Sequence, residues 1–406
     1  MKLKPTFLKL TIGILGVFLL LTGVEYGYGI FDVLDENRSE TLQTGEWSAG
    51  TPITTAQEFY DFATSSTSLS TDHYYLANDI DFSGFAWTYI STFNNNEFHG
   101  TLSGNNYTLS NITITSTDTN SVMVSIFSRM NGATIRDLKI ENYKMGFSST
   151  FFNSSALQSG VLASEVSGTN NLIENITLTN VDVIANSLNG AGGLIGQVQG
   201  NTDLTISNIK ATDLTVLNTS KRAGGLISRV LRGSGILIIE DIDLQGNIAG
   251  DNRTSNTGGL IGTLQNTSTT IDRVIVEYTA EGTITLSDTS ITMKAERYVG
   301  GFIGNQKSSG TITNAFYTGI LYENTNYLGT AIGREQGSIS LVDVYYSNVL
   351  FNTTNTAPTS TTGLLGTLVL ESAMPNIAWW NGFAVNFYNT NSLWQQDVTG
   401  RLELIR

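Results

Sequence analysis

The sequence predicts an all-β protein: a solenoid of short parallel strands, a parallel β-helix, with a small helix closing its start and an aromatic-rich segment closing its end. Three observations carry this. A Gly-Gly-Leu-Ile-Gly segment recurs along the chain at a nearly constant interval. Between copies, apolar residues come in pairs two apart, as on one face of a strand. No proline occurs between residues 53 and 357, where central strands need every backbone donor.

Self-similarity is the strongest of the three. Gly192-Gly193-Leu194-Ile195-Gly196 returns as Gly224-Gly225-Leu226-Ile227-Ser228, then as Gly258-Gly259-Leu260-Ile261-Gly262 and Gly300-Gly301-Phe302-Ile303-Gly304. Weaker copies centre on Ile126, Leu162 and Ala331, and a fragment, Gly363-Leu364-Leu365-Gly366, follows. The steps between the central apolar residues are 36, 32, 32, 34, 42, 29 and 33. A period near 32 with loop insertions is that of stacked supersecondary units. The paired glycines are expected where the chain needs special angles or a close backbone approach at a bend. A dinucleotide-binding loop is a poor alternative, because such a loop occurs once rather than in every unit.

The second half of each unit has its own pattern. One copy reads Leu204, Ile206, Ile209, Ala211, Leu214, Val216. The spacing is two within a pair and three between pairs, so one extra residue turns a corner and the apolar side chains stay inward. Immediately before the second pair stands a column: Asp137, Asn175, Asn208, Asp241, Arg273, Asn314 and Asp343. Six of these seven are Asn or Asp, which tolerate left-handed backbone angles and bond local backbone groups. A catalytic carboxylate row is the alternative, but its acidic members stand three coils apart, roughly 14 Å at the strand spacing.

Composition excludes several function classes. The chain has 406 residues, of which 40% are hydrophobic and only 14% charged. A net charge of −14 argues against a tracker of nucleic-acid phosphates. The absence of cysteine removes disulfides, thiolate metal sites and thiol nucleophiles. His73 and His99 are the only histidines, too few for a multi-histidine zinc site. No cofactor is expected, and no residue pattern argues for structural calcium. Lys2, Lys4 and Lys9 lead into an apolar run from Leu10 to Val24, the form of a secretory signal or a marginal anchor. The expected organisation is therefore 1–24 signal peptide or membrane anchor, 25–50 linker, 51–355 repeat domain with its N-terminal cap, and 356–406 last coil and C-terminal cap.

The repeats resemble the GLUG motif of bacterial surface proteins. The segment before them strengthens the likeness: Tyr75-Leu76-Ala77-Asn78-Asp79-Ile80-Asp81-Phe82, then Trp87, then Phe98-His99-Gly100-Thr101-Leu102-Ser103-Gly104. It is similar to the opening of adhesin-like β-helical proteins, and the resemblance spans roughly residues 50 to 366. It implies a right-handed β-helix at the cell surface. Some members carry peptidase domains, but this sequence holds no His-Glu-x-x-His zinc site.

The ends read as caps, which a solenoid needs because its core is open at both. Thr55 and Glu58 have capping-box spacing ahead of Phe59, Phe62 and Ala63, predicting a short helix with a buried face. Near the C-terminus, Trp379, Trp380 and Trp394 form either a cap or a platform on which sugars stack. Three functions follow: an adhesive or structural surface module for glycans or proteins, a polysaccharide-active enzyme, and a self-assembling surface-layer or fibre subunit. The enzyme would need paired carboxylates, for which Asp79 with Asp81 and Asp241 with Asp243 are candidates. Both pairs are expected to face solvent between core isoleucines, and no cluster of acid and arginine from adjacent coils is readable. Insertions near 144–158 and 277–298 offer further binding surface. Nine Asn-x-Ser/Thr sites occur, one of them at Asn175 in the corner column.

Overall fold

A computed structural model of the chain describes residues 50–64, 72–88, 97–115, 123–146, 156–250, 255–285, 290–295, 297–321, 327–351, 367–368, 394–396 and 402–404. The N-terminal apolar run, the linker before residue 50, the fragment Gly363–Gly366, Trp379 and Trp380 lie outside these residues, as does the middle of the first insertion. No helix among the described residues is long and apolar enough to cross a membrane.

The fold is a parallel β-solenoid. Strands Thr134–Met145, Asn171–Ala185, Leu204–Asn218, Ile227–Gly250, Ile261–Thr279, Ser309–Leu321 and Ser338–Phe351 pair successively, each parallel to the next. Thr367–Leu368 adds one further rung. A second, seven-stranded parallel sheet is built from the short strands that precede each bend: Met123–Val124, Ala156–Ser159, Ser187–Gly192, Arg222–Gly224, Asn256–Gly258, Tyr298–Gly300 and Tyr327–Gly329. Two antiparallel hairpins depart from this plan. One, Glu281–Thr285 with Ser290–Lys294, occupies the second insertion. The other pairs Trp394–Gln396 with Leu402–Leu404.

In-register stacking makes each inward position a column. Ile135, Ile173, Ile206, Ile239, Ile271 and Ile312 stand on successive coils, with Leu102 below and Leu341 above. All six isoleucines are fully buried. β-Branched side chains suit this pleated surface, and each such burial contributes about 2 kcal/mol. Leu194, Leu226, Leu260 and Phe302 form a second column, also fully buried. Their backbones are tied directly: Leu194 N donates to Leu226 O at 2.9 Å, and Leu226 N to Leu260 O at 3.0 Å.

The corner column explains how one long strand bends without breaking. Asp137, Asn175, Asn208, Asp241, Arg273, Asn314 and Asp343 all have φ between 49° and 56°. The side chains then reach along the solenoid axis, with Asn175 Nδ2 donating to Asp137 Oδ1 at 2.7 Å. Five residues further on, Asn142, Asn180 and Asp213 turn a second corner in the same way, with φ of 53° to 54°. Asn180 Nδ2 donates to Asn142 Oδ1 at 2.7 Å. The amides of Asn175 and Asn218 are both engaged in such bonds, which leaves those two Asn-x-Ser/Thr sites unsuited to a glycan.

The paired glycines turn out to need space rather than unusual angles. None of Gly193, Gly225, Gly259 and Gly301 has a left-handed φ. A Cβ on Gly193 or Gly225 would lie 2.0 Å from the carbonyl oxygen of the glycine one coil on. Successive bends nest so closely that only hydrogen fits between them.

The helix Ala56–Thr64 closes the first coil. Thr55 Oγ1 accepts from Glu58 N at 3.2 Å, while Glu58 Oε2 accepts from Thr55 N at 3.2 Å and from Thr54 N at 2.8 Å, so both halves of the capping box form. The Thr54 backbone bond, first among several, holds the Glu58 carboxyl below its ordinary pKa. Phe59 and Phe62 seal the core end by packing on Phe82, Trp87 and Phe98.

Candidate functional site

Two polar assemblies stand out on the solenoid, and they differ in kind. The first joins distant parts of the chain. Arg273 replaces the usual amide in the corner column and turns to Asp241 on the preceding coil, with Nε to Oδ1 and Nη2 to Oδ2 both at 2.8 Å. The same guanidinium reaches Glu240 at 2.9 Å and Asp272. Trp394 Nε1 donates to Asp241 Oδ1 at 2.8 Å. Alongside, Lys210 Nζ donates to Leu404 O at 3.0 Å and Leu404 N to Asp243 Oδ2 at 3.4 Å. The C-terminal hairpin is thus pinned to the side of the middle coils.

This corrects three expectations. Asp241 and Asp243 are 3% and 1% exposed rather than solvated, because the hairpin covers them. Acid and arginine from adjacent coils do form a cluster. Trp394 is 2% exposed with its indole N–H committed, so its ring offers sugars no stacking face. Asp79 and Asp81, by contrast, are exposed and hydrogen-bonded to the next coil, Asp79 to Thr108 N and Asp81 to Asn111 Nδ2. Arg273 and Trp394 both bind the Asp241 carboxylate, and Lys210 and Asp243 both bind the Leu404 backbone, so the group reads as a latch. Trp394→Ala is expected to free the hairpin: tryptic cleavage after Arg401 should accelerate while the solenoid's melting temperature changes little. Unchanged cleavage would remove the latch.

The second assembly is a crevice, and it comes from the bend itself. Ala223 points into the core, so its neighbours Arg222 and Gly224 point outward. A Cβ on Gly224 would lie 2.0 Å from Ile227 O and 2.8 Å from Gly262 N. The outer faces of the strands before and after each bend therefore close on one another. Glycines floor this re-entrant corner, and longer polar side chains line its walls.

The lining follows a rule. The residue two before the first glycine faces the residue seven later. Gln158 Nε2 donates to Glu165 Oε2 at 3.0 Å, and Asn256 Nδ2 to Thr263 Oγ1 at 2.6 Å. The equivalent pairs are Arg222 with Arg229 and Tyr298 with Asn305. Neighbouring coils are linked in turn. Arg222 Nε donates to Thr263 Oγ1 at 3.0 Å, Gln197 Nε2 to Glu165 Oε2 at 3.4 Å, and Arg334 Nη1 to Tyr298 Oη at 2.6 Å. Arg297 and Arg334 both lie over the Tyr298 ring, 4.6 and 4.8 Å from its centroid.

The crevice has hydrogen-bonding capacity left over. Arg229 Nε, Asn256 Oδ1 and Asn305 Oδ1 are buried without a partner. Asn256 and Asn305 are 5% and 6% exposed. An orphaned buried polar atom costs about 1–3 kcal/mol, so three on consecutive coils call for an explanation. Among the described residues no group of three or more His, Asp or Glu is placed to hold a metal.

None of these crevice residues was singled out from sequence. The seven-residue pairing across each bend was present to be read, but the eye stops at the glycines, and nothing in a linear repeat says that two outer faces meet.

No family model matches the chain, and no curated protein matches it. Among solved structures, a candidate immunoglobulin A1 protease from Bacteroides ovatus is similar, with a TM-score of 0.55 and 16% identity over 87% of this chain and 93% of that one. At that identity the likeness establishes a shared β-solenoid fold.

Proposed function

We propose that this chain is an exported, cell-surface β-solenoid that binds glycans along the crevice and acts as an adhesive or structural module. The observation that supports it is a track of amide, hydroxyl, phenol and guanidinium groups repeated at the strand spacing of roughly 4.8 Å, in which Arg229 Nε, Asn256 Oδ1 and Asn305 Oδ1 have unmet capacity. An extended pyranose chain repeats at a similar length and offers hydroxyls in both donor and acceptor roles. The ring of Tyr298 adds an apolar surface, shared with Arg297 and Arg334. Support for export is the lysine-led apolar run at residues 2–24.

The test is a glycan array followed by titration of the strongest hit. Asn256→Ala combined with Asn305→Ala is expected to weaken that binding by about tenfold or more, with an unchanged circular dichroism spectrum. Equal binding by the double variant would move the site elsewhere. Release of reducing or unsaturated ends from the bound polysaccharide would make the protein a depolymerase instead.

A further inference from the structure

The crevice carries one position that its own pairing rule leaves electrostatically open. Two coils below, Gln158 meets Glu165, and on the coil above, Asn256 meets Thr263. Between them the same seven-residue spacing sets Arg222 against Arg229, and the charge of Arg229 is felt at Arg222. Another arginine of the same wall shows the alternative. Arg129 lies between Glu97 and Glu165, at 3.9 and 3.4 Å. Among the described residues neither Arg222 nor Arg229 has a carboxylate partner. Glu165 stands two coils below Arg229 in register, roughly 9.6 Å at the strand spacing, and is already held by Arg129, Gln158 and Gln197.

The two guanidiniums are also held in place. Arg222 spends Nε on Thr263 Oγ1 and Nη1 on Asn189 O, both neutral acceptors. Arg229 keeps a buried Nε with no acceptor at all. Gly190, one coil below Arg222, has φ +134°, and a Cβ there would collide with Ser228 Oγ and approach Arg222 Cβ. Glycine is therefore required at 190, because Ser228 and Arg222 already fill the space a side chain would take, and no side chain from that position reaches the pair. Burial, and then the charge of Arg229, pushes the Arg222 pKa down to about 10, and burial alone lowers that of Arg229. Two partly desolvated cations facing each other are a cost that a bound anion would reverse.

We propose that Arg222 and Arg229 form an oxyanion subsite that takes the carboxylate or sulfate group of a ligand lying in the crevice. The inference rests on the glycan reading and sharpens it to acidic glycans. Planar guanidiniums are suited to forked bonds with either group. The acidic chain as a whole would repel such a polymer, so recognition is confined to this local reversal of charge.

Calorimetric titration of the full chain at low salt tests this with four probes: a uronic-acid hexasaccharide, its carboxyl-reduced neutral counterpart, a sulfated oligosaccharide and inorganic sulfate. The acidic probe is expected to bind about tenfold or more tightly than its neutral counterpart. Arg222→Gln and Arg229→Gln should each erase that preference. Both variants should melt no lower than the parent, because each removes like-charge repulsion. In the parent, added sodium chloride should weaken only the charged probes. A tighter sulfated probe would identify sulfate as the group recognised. Equal binding of acidic and neutral hexasaccharides, unaffected by either substitution, overturns the subsite and leaves the glycan reading intact. Inorganic sulfate that binds only when both arginines are present, with no oligosaccharide binding, keeps the subsite and overturns the glycan reading.

Discussion

Gly225→Val is expected to be the most disruptive single change in the solenoid, costing about 4 kcal/mol or more. A Cβ at this position lies 2.0 Å from Gly259 O and 2.7 Å from Leu244 Cδ1. The leucine can change rotamer, but the carbonyl cannot withdraw. It belongs to the next bend, which is itself nested against the one beyond, so relief means separating coils along the column. Urea unfolding followed by circular dichroism measures the loss. Gly84→Ala is the control. That glycine has φ +75° with nothing within 4 Å of its missing Cβ, so the change should cost only about 1–2 kcal/mol of backbone strain. If the two variants unfold alike, close nesting is not what the repeated glycines serve.

Arg273→Ala is expected to cost about 3–5 kcal/mol. Asp241 is buried and receives two bonds from Arg273, so truncation removes the paired guanidinium from a carboxylate held beneath the hairpin. Alanine also fits the left-handed backbone poorly, at φ 52°. Arg273→Asn separates the two causes. Asparagine tolerates that angle and can donate to Asp241 as Asn175 does to Asp137. It should recover most of the loss, to within about 1–2 kcal/mol of the parent. An asparagine variant no better than alanine would show that neither the column geometry nor the carboxylate bond governs stability here.

Both results depend on contacts between coils, and this divides what could be read from sequence from what could not. The period, the inward columns, the capped helix that carries Phe59 and the amide corners were legible. Each follows from a backbone rule that acts within a few residues, and repetition multiplies the signal until chance cannot imitate it. Asn208 reveals its left-handed angle by being Asn in a column of Asn and Asp. Arg273, the one exception, carried no comparable clue to its partner.

What the tertiary structure decided lies across coils and across long separations. Trp394 meets Asp241 over 153 residues, and no local pattern encodes that distance. The second corner at Asn111, Asn142, Asn180 and Asp213 escaped notice because its column dissolves after four coils, where Gly246 takes the register beside Leu214. The crevice escaped for a different reason. Alternation along a strand says which side chains leave the core, but only the angle at each bend decides whether they reach water or one another. By itself, then, the sequence determined that the chain winds, and with what period. Folding decided which outward residues meet, because that depends on how closely glycine lets successive bends approach.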